Sequence, residues 1–420
     1  MRSSRRLFTK IHRWITFALG LVLLAVVVSG VLLVFQPEIE QVTHPSLYDT
    51  ASGPAKLSPG QALAVVRRDL PELEWTGAEI YDQRGAWEVH SPSGPVARVD
   101  NTDGRLLGTI DREHGFMAFM ENLHECGFTC EEESGYIGFL NEPAQIWGLD
   151  LTLGNEGTWG TVILAVSALV LLVLVITGLW IWWPRKGALR RSLRLRRGAG
   201  RYKFHYDLHK IVGVVALPAL LMWALTGINF ELPKQTEGAY YALTPGSPAP
   251  ESIYEFESKP GTGPGISMRR AAIDAEAVLP GGPGHSTLDS INSPDRGEEG
   301  SYYEVWFSHG IDTYRYSQYP GNFGVYVDRY SGEARQFFPN PGNATTTNEF
   351  MQNWAGALHM GMLVGWLPRT LWFIFGVTPV LLALTGIVTW LIRRRRRGRK
   401  AARFGEDLDE LDAEETTASV

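Results

Sequence analysis

The stretch His12–Gly30, HRWITFALGLVLLAVVVSG, opens with an imidazole beside a base, runs apolar for about the length of a membrane crossing, and closes on Ser-Gly. The stretch His209–Gly227, HKIVGVVALPALLMWALTG, does the same, with histidine and glycine again eighteen positions apart. One unit written twice implies two equivalent halves, each entered through a span that begins at a histidine.

Working outward, four apolar blocks punctuate an otherwise polar chain of 420 residues: roughly 14–35, 160–183, 211–230 and 370–392. Each has about the 20 apolar residues that a helix rising about 1.5 Å per residue needs to cross a hydrocarbon core. The first follows MRSSRRLFTK, as a leader would. Its apolar core is longer than a leader's and no small-residue cleavage site follows, so it reads as a span.

Lysine and arginine set the orientation. Five fall in residues 1–13, nine in 184–203 and eight in 393–403, whereas the long connections 36–157 and 231–365 hold seven and eight. The bias of basic residues toward the cytoplasmic side predicts both termini and the short loop inside, and the two long segments outside. The arginine runs flank spans, so topology and anionic lipid account for them and no nucleic-acid role is expected. The net charge of −6 excludes nothing, because the acidic residues lie mostly in the outer segments and in the tail GEDLDELDAEE, which reads as disordered.

The expected organisation is a cytoplasmic N-terminus (1–13), a first span (14–35), an outer domain (36–157), a second span (158–183), a basic cytoplasmic loop (184–208), a third span (209–230), a second outer domain (231–365), a fourth span (366–392) and a disordered cytoplasmic tail (393–420). The returning spans also match, VITGLWIWWPRK against ALTGIVTWLIRRR. Each span carries a small- or hydroxyl-residue pair with glycine, and these pairs are assigned to close helix packing. In the outer segments, SPGQALAVVRRDL and SMRRAAIDAEAVL have helical spacing, and alternating stretches follow each. VDNTDGRL (Val99–Leu106) and VDRYSGEA (Val327–Ala334) look like equivalent turns between strands. Each outer segment is expected to be a small α+β domain. The aromatics of SYYEVWFSHGIDTYRYSQYPGNFGVYVDRY could face an anionic ligand, but sheet core is the simpler account.

Four of the ten histidines recur at matched places: His12 with His209 at the inner ends of two spans, and His124 with His359 at the outer ends of the other two. Two facing pairs are expected, one per leaflet. Two imidazoles on opposite sides suit a flat cofactor with two axial positions, as in bis-histidine heme b between helices. Zinc would need ligands that the sequence does not place beside the inner pair. His205 precedes His209 by one helical turn and is a second candidate for the inner site. Met360 and Met362 flank His359 and offer a His/Met alternative. His44, His90, His114, His285 and His309 have no counterparts and are assigned to the surface. Cys126 and Cys130 lie in an outer segment, where a local disulfide is permitted.

HRW entering the first span, the VDxxxG turns, a Leu-His pair before each returning span, ITGLWIWWPR, YDLHKIVG and LHMG together resemble the PepSY-associated transmembrane family over nearly the whole chain. The resemblance is to its inner-membrane ferric-siderophore reductases. It implies an α-helical membrane protein with four spans in two pseudo-symmetric halves, two PepSY-like outer domains and two hemes b. It also implies reduction of chelated ferric iron outside the membrane, a quinol or a separate reductase as donor, and siderophore-uptake components as partners. One departure is the interval from His124 to Gly178, 54 positions against 27 from His359 to Gly386, which leaves the geometry around His124 open. Two other functions are expected to read differently. An anchored PepSY module that binds or inhibits peptidases would need no histidine pairs, and an ion-coupled transporter would need intramembrane charges that the spans lack.

Overall fold

The computed structural model describes residues 2–75, 79–83, 85–91, 94–144, 157–184, 188–244, 246–247, 251–295, 298–308, 322–340, 345–361 and 366–418. In chain order its elements are α1 (Arg2–Leu33), α2 (Gln36–Thr43), α3 (Pro59–Asp69), β1 (Glu79–Gln83), β2 (Ala86–His90), β3 (Val96–Asp100), β4 (Leu106–Ile110) and α4 (Phe116–Glu121). There follow α5 (Trp159–Trp182), α6 (Leu189–Ser192), α7 (Arg201–Val215), α8 (Leu217–Glu231), α9 (Pro233–Leu243) and α10 (Met268–Ala277). The chain ends through β5 (Thr287–Asn292), β6 (Tyr303–Ser308), β7 (Phe323–Val327), β8 (Ala334–Phe338), α11 (Thr346–Glu349), α12 (Ala355–Met360), α13 (Trp366–Gly376) and α14 (Thr378–Ala418).

Among the described residues, Ser4–Leu33, Trp159–Trp182 and Arg369–Gly398 are each long and apolar enough to cross a membrane, and α7 with α8 makes a fourth if that bent pair is one span. The sequence predicts an unbroken third span. The structure bends it by 59° between Val215 and Leu217. Pro218 has no N–H for the carbonyl of Val214 and its ring crowds that carbonyl, which is the usual cause of a sharp kink. The expected disordered tail is also corrected: α14 continues to Ala418. Arginine, alanine and glutamate, all strong helix formers, make up most of residues 393–418, and that stretch contains no proline.

The chain divides into two compact units. The first comprises Met1–Val28, Val170–Leu221 and Ile374–Val420 and is helical. Phe17 packs on Trp390 and Phe8 on Trp180, with ring centres 4.9 and 5.2 Å apart. The buried carboxylate of Asp207 accepts two bonds from the Arg196 guanidinium, both 2.7 Å, and one from Lys210, 3.0 Å, which fixes the basic loop to α7.

The second unit comprises Ser29–Leu169 and Met222–Phe373. Here the expectation of two separate α+β domains is corrected. Their strands form one eight-stranded sheet in the order β4-β3-β2-β1-β5-β6-β7-β8. The two four-stranded meanders would each leave an edge of unpaired backbone groups, and they satisfy it by joining β1 to β5 antiparallel, with Ile80 opposite Ile291. Alternation along the strands sends Trp87, Val89, Ala97, Val99, Val305, Phe307, Val325 and Val327 to one face, where Ala62, Leu63 and Val66 of α3 and Met268, Ala271 and Ala275 of α10 cover them in a shared core. Both helices start at a serine cap, Ser58 accepting from the N–H of Gln61 and Ser267 from that of Arg270.

On the other face the halves differ. The first buries Glu88 and Arg98, with Arg112 reaching from Glu88 (2.8 Å) to Glu40 on α2 (2.8 Å). The second buries Trp306, Tyr326, Phe337 and Phe338 against one another. The aromatics of the second outer segment thus serve the sheet core; its residues 309–321, with His309, lie outside the described set.

Candidate functional site

His12 on α1 and His209 on α7 face each other within the first unit, ring centres 6.4 Å apart and planes near perpendicular, at 86°. Their Nδ1 atoms turn away from each other onto fixed acceptors. His12 Nδ1 lies 2.8 Å from the Thr177 hydroxyl, and His209 Nδ1 lies 3.0 Å from both the Thr385 hydroxyl and the carbonyl of Leu382. The two threonine hydroxyls donate their own protons one turn back, to the carbonyls of Val173 (2.6 Å) and Leu381 (2.7 Å), so towards the imidazoles they accept. A carbonyl can only accept. Both Nδ1 atoms therefore carry the hydrogen, and each Nε2 keeps its lone pair, which is the tautomer that ligates a metal.

The second unit repeats the arrangement. His359 on α12 and His124 have ring centres 6.1 Å apart with planes at 46°. His359 Nδ1 lies 2.8 Å from the Thr226 hydroxyl, which donates to the carbonyl of Met222 at 2.8 Å. His124 Nδ1 lies 3.3 Å from the Ser29 hydroxyl. Phe230 stands edge-on to the His359 ring, and the Trp223 indole donates to the His359 carbonyl at 3.0 Å. Burial, with His124 opposite, lowers the pKa of His359 to about 3, so its imidazole is neutral.

His124 sits on a single π-helical turn, Asn122–Cys126, that continues α4. The sequence left its surroundings open, and the inserted residues explain them. Cys126 and Cys130 are joined in a disulfide, and the Asn122 side chain donates to the carbonyl of Cys130 (3.1 Å) and accepts from its N–H (3.2 Å). The first residues of the insertion, through Cys130, close into a loop that grips the turn carrying the histidine.

The four hydroxyls belong to the four hydroxyl–glycine pairs Ser29-Gly30, Thr177-Gly178, Thr226-Gly227 and Thr385-Gly386. Their assignment to helix packing holds at Gly227, where a Cβ would stand 3.3 Å from Ala168 Cβ on α5, but it is incomplete: each hydroxyl meets an imidazole, and each glycine lies beside the same ring. A Cβ on Gly30 would stand 2.4 Å from His124 Cε1, while on Gly178, Gly386 and Gly227 it would stand 3.6, 3.5 and 3.9 Å from Cε1 of His12, His209 and His359. Only at Gly30 does the ring itself exclude a side chain. The eighteen-residue interval from histidine to glycine does not give this pairing: it links His12 to Gly30 and His209 to Gly227, and those glycines meet His124 and His359.

The donor set fits a flat cofactor with two axial positions. Metal–imidazole bonds of about 2 Å on opposite sides of one ion put ring centres roughly 6 Å apart, and the observed values are 6.4 and 6.1 Å. The inner pair opens on a cavity of about 470 Å³ lined mainly by apolar side chains, including Leu174, Val175, Leu382 and Ile387. That size is ordinary for a cofactor pocket, roughly 300–1,000 Å³. Among the described residues no thiol or carboxylate lines it, so those residues do not offer a tetrahedral zinc site.

The remaining candidates fall elsewhere. His205 does not line the cavity; its Nδ1 is buried without a partner and its ring packs on Phe204. His209 is the residue brought to His12. His114 is exposed beside Asp111, and His90 approaches Glu88 at 3.7 Å. The ring facing His359 is that of His124, and Met362 lies outside the described residues. The family profile described as PepSY-associated TM region matches residues 9–393, nearly the whole chain. No curated protein matches it.

Proposed function

The chain belongs to the PepSY-associated TM region family, and on that premise we propose that it is a transmembrane oxidoreductase. In this reading it carries two bis-histidine hemes b in a bacterial inner membrane and passes electrons outward to ferric iron held by a siderophore. The observation that carries the reading is the repeated pair of facing imidazoles, 6.4 and 6.1 Å between centres, with Nδ1 of each on a hydroxyl.

His12 and His209 would hold the inner heme, and His124 and His359 the outer one. Heme bound there would supply reversible one-electron chemistry. The protein's own contribution is positional. Thr177, Thr385 and Thr226 fix the tautomer and ring direction of three of the four ligands, and the apolar walls keep water and stray protons from them. One electron taken from quinol or a separate reductase inside would reduce one ferric ion outside to ferrous, which an oxygen-rich chelator holds less tightly. The basic runs 1–13, 184–203 and 393–403 that flank the spans support this orientation, because basic residues favour the cytoplasmic side.

The test is the dithionite-reduced minus oxidised visible spectrum of the purified full chain, with pyridine hemochrome quantitation, for wild type, His209→Ala and His359→Ala. Sharp b-type bands at two hemes per chain are expected, one lost in each variant, followed by reoxidation of the reduced protein by ferric chelate. A colourless protein after heme-supplemented expression would overturn the reading. It would leave the eight-stranded sheet as the functional part, an anchored binding module.

A further inference from the structure

The two histidines of the outer pair are held by different chemistry. On the His359 side two indoles close the last turn of α12: Trp223 donates to the carbonyl of His359 at 3.0 Å and Trp372 to that of Leu358 at 2.6 Å. Those carbonyls belong to the set that a helix end leaves without an intrahelical donor. On the His124 side the support is covalent. Cys126, two residues after the histidine in the same π-helical turn, is bonded to Cys130, and the bridge closes a loop of five residues. That loop is pressed onto the start of α5: a Cβ on Gly127 would stand 2.5 Å from the carbonyl oxygen of Gly160, and one on Gly160 would stand 2.8 Å from that of Cys126. Cys126 is buried and Cys130 half-buried, and the chain has no other cysteine with which either could pair. A thiol can therefore undo one of the two supports and leaves the other untouched.

We propose that the Cys126–Cys130 bond is a thiol-sensitive latch on one axial ligand of the outer site; this rests on the function proposed above. Closed, it keeps the His124 ring turned to Ser29 and Gly30. Opened by a dithiol, it frees the turn and loosens the outer cofactor, while His359 stays held by its indoles. One reductant thiolate attacks the more accessible sulfur, that of Cys130, and Cys126 leaves and takes a proton. The second thiol of the reductant then displaces Cys130. One S–S bond breaks in the protein, one forms in the reductant, and the two hydrogens of the dithiol end on the two cysteines. In the chain-entropy account, closing a loop of five residues favours the closed turn by roughly thirtyfold. Both cysteines of the chain lie here, so the inner pair has no such control. The outward electron path is thereby tied to a compartment oxidising enough to keep the latch closed.

Heme-loaded full chain in detergent is reduced with dithiothreitol under nitrogen, desalted and mixed with apomyoglobin; the outer site is the transfer phase absent in His359→Ala. Reduction is expected to speed that phase by roughly thirtyfold, to leave the inner phase unchanged and to be reversed by reoxidation. The double variant Cys126→Ala, Cys130→Ala is expected to be fast with or without reductant. An outer phase that keeps its rate while alkylation shows both thiols free would overturn the latch. So would a disulfide that the native protein does not surrender to the dithiol. A second readout needs no cofactor: in hydrogen exchange of the apo-protein, reduction is expected to deprotect residues 122–130 and to leave 355–360 unchanged. Both comparisons use wild type, so they stand even if the double variant does not fold. Protein that takes up no heme yet loosens at 122–130 on reduction would overturn the function proposed above and keep the thiol-labile turn. Unchanged exchange at 122–130 would overturn the latch whatever the heme content.

Discussion

The hydroxyl of Thr177 gives its proton to its own helix and its lone pair to His12, and Thr385 does the same for His209. Valine has nearly the shape of threonine but no acceptor, so Thr177→Val and Thr385→Val would leave Nδ1 without its partner and the ring free to turn. Losing such a support weakens metal or cofactor binding by about 10–100-fold. We therefore expect heme to pass to apomyoglobin from the inner site of either valine variant that much more readily, and Thr→Ser to restore retention. Equal retention in all four variants would mean that the hydroxyls serve packing alone. The histidines were legible in the sequence because four of the ten recur at matched places in the two halves. The hydroxyls were not, since a threonine in an apolar helix bonds its own backbone whatever else it does.

At the scale of the element, the two VDxxxG turns are equivalent in detail. Asp100 accepts from the N–H groups of Ala51, Thr102 and Asp103, and Asp328 from those of Lys259, Tyr330 and Ser331. Gly104 and Gly332 close the turns at φ +79° and +78°, where a side chain is strained. Burial would raise both carboxyl pKa values, but the converging N–H groups outweigh it and hold them below the ordinary value of about 3.9. A carboxyl depressed in the folded state contributes stability that is complete above the unfolded pKa and lost as pH falls through the folded one. Asp328→Asn should therefore lower the unfolding temperature at pH 7, and the gap from wild type should shrink below about pH 4. A gap independent of pH would show that the charge of Asp328 is immaterial to the turn. The turns were legible in the sequence because Asp and Gly at fixed offsets have only a few backbone solutions. The kink before Leu217 was less so, since a proline within a long apolar run is compatible with either a straight or a broken span.

For the whole molecule, the pairing of β1 with β5 makes one sheet and one core from segments some 200 residues apart. Ile80 and Ile291 meet at that seam, both fully buried. Truncating such a residue to alanine typically removes about 2–5 kcal/mol. Because the core is shared, Ile291→Ala should lower hydrogen-exchange protection in β2 and β3 as much as in β6 and β7. Loosening confined to β5–β8 would mean two domains that fold independently. By itself the sequence determined the apolar spans, the doubled unit, the four histidines and the small α+β pattern, because membrane thickness, periodicity and residue chemistry act locally along the chain. The tertiary structure alone decided that the two meanders share one sheet and that four hydroxyl–glycine pairs support four imidazoles. Each of these depends on which surfaces meet, and a contact between distant segments is specified by shape and by the satisfaction of polar groups, neither of which has a period or a motif to read.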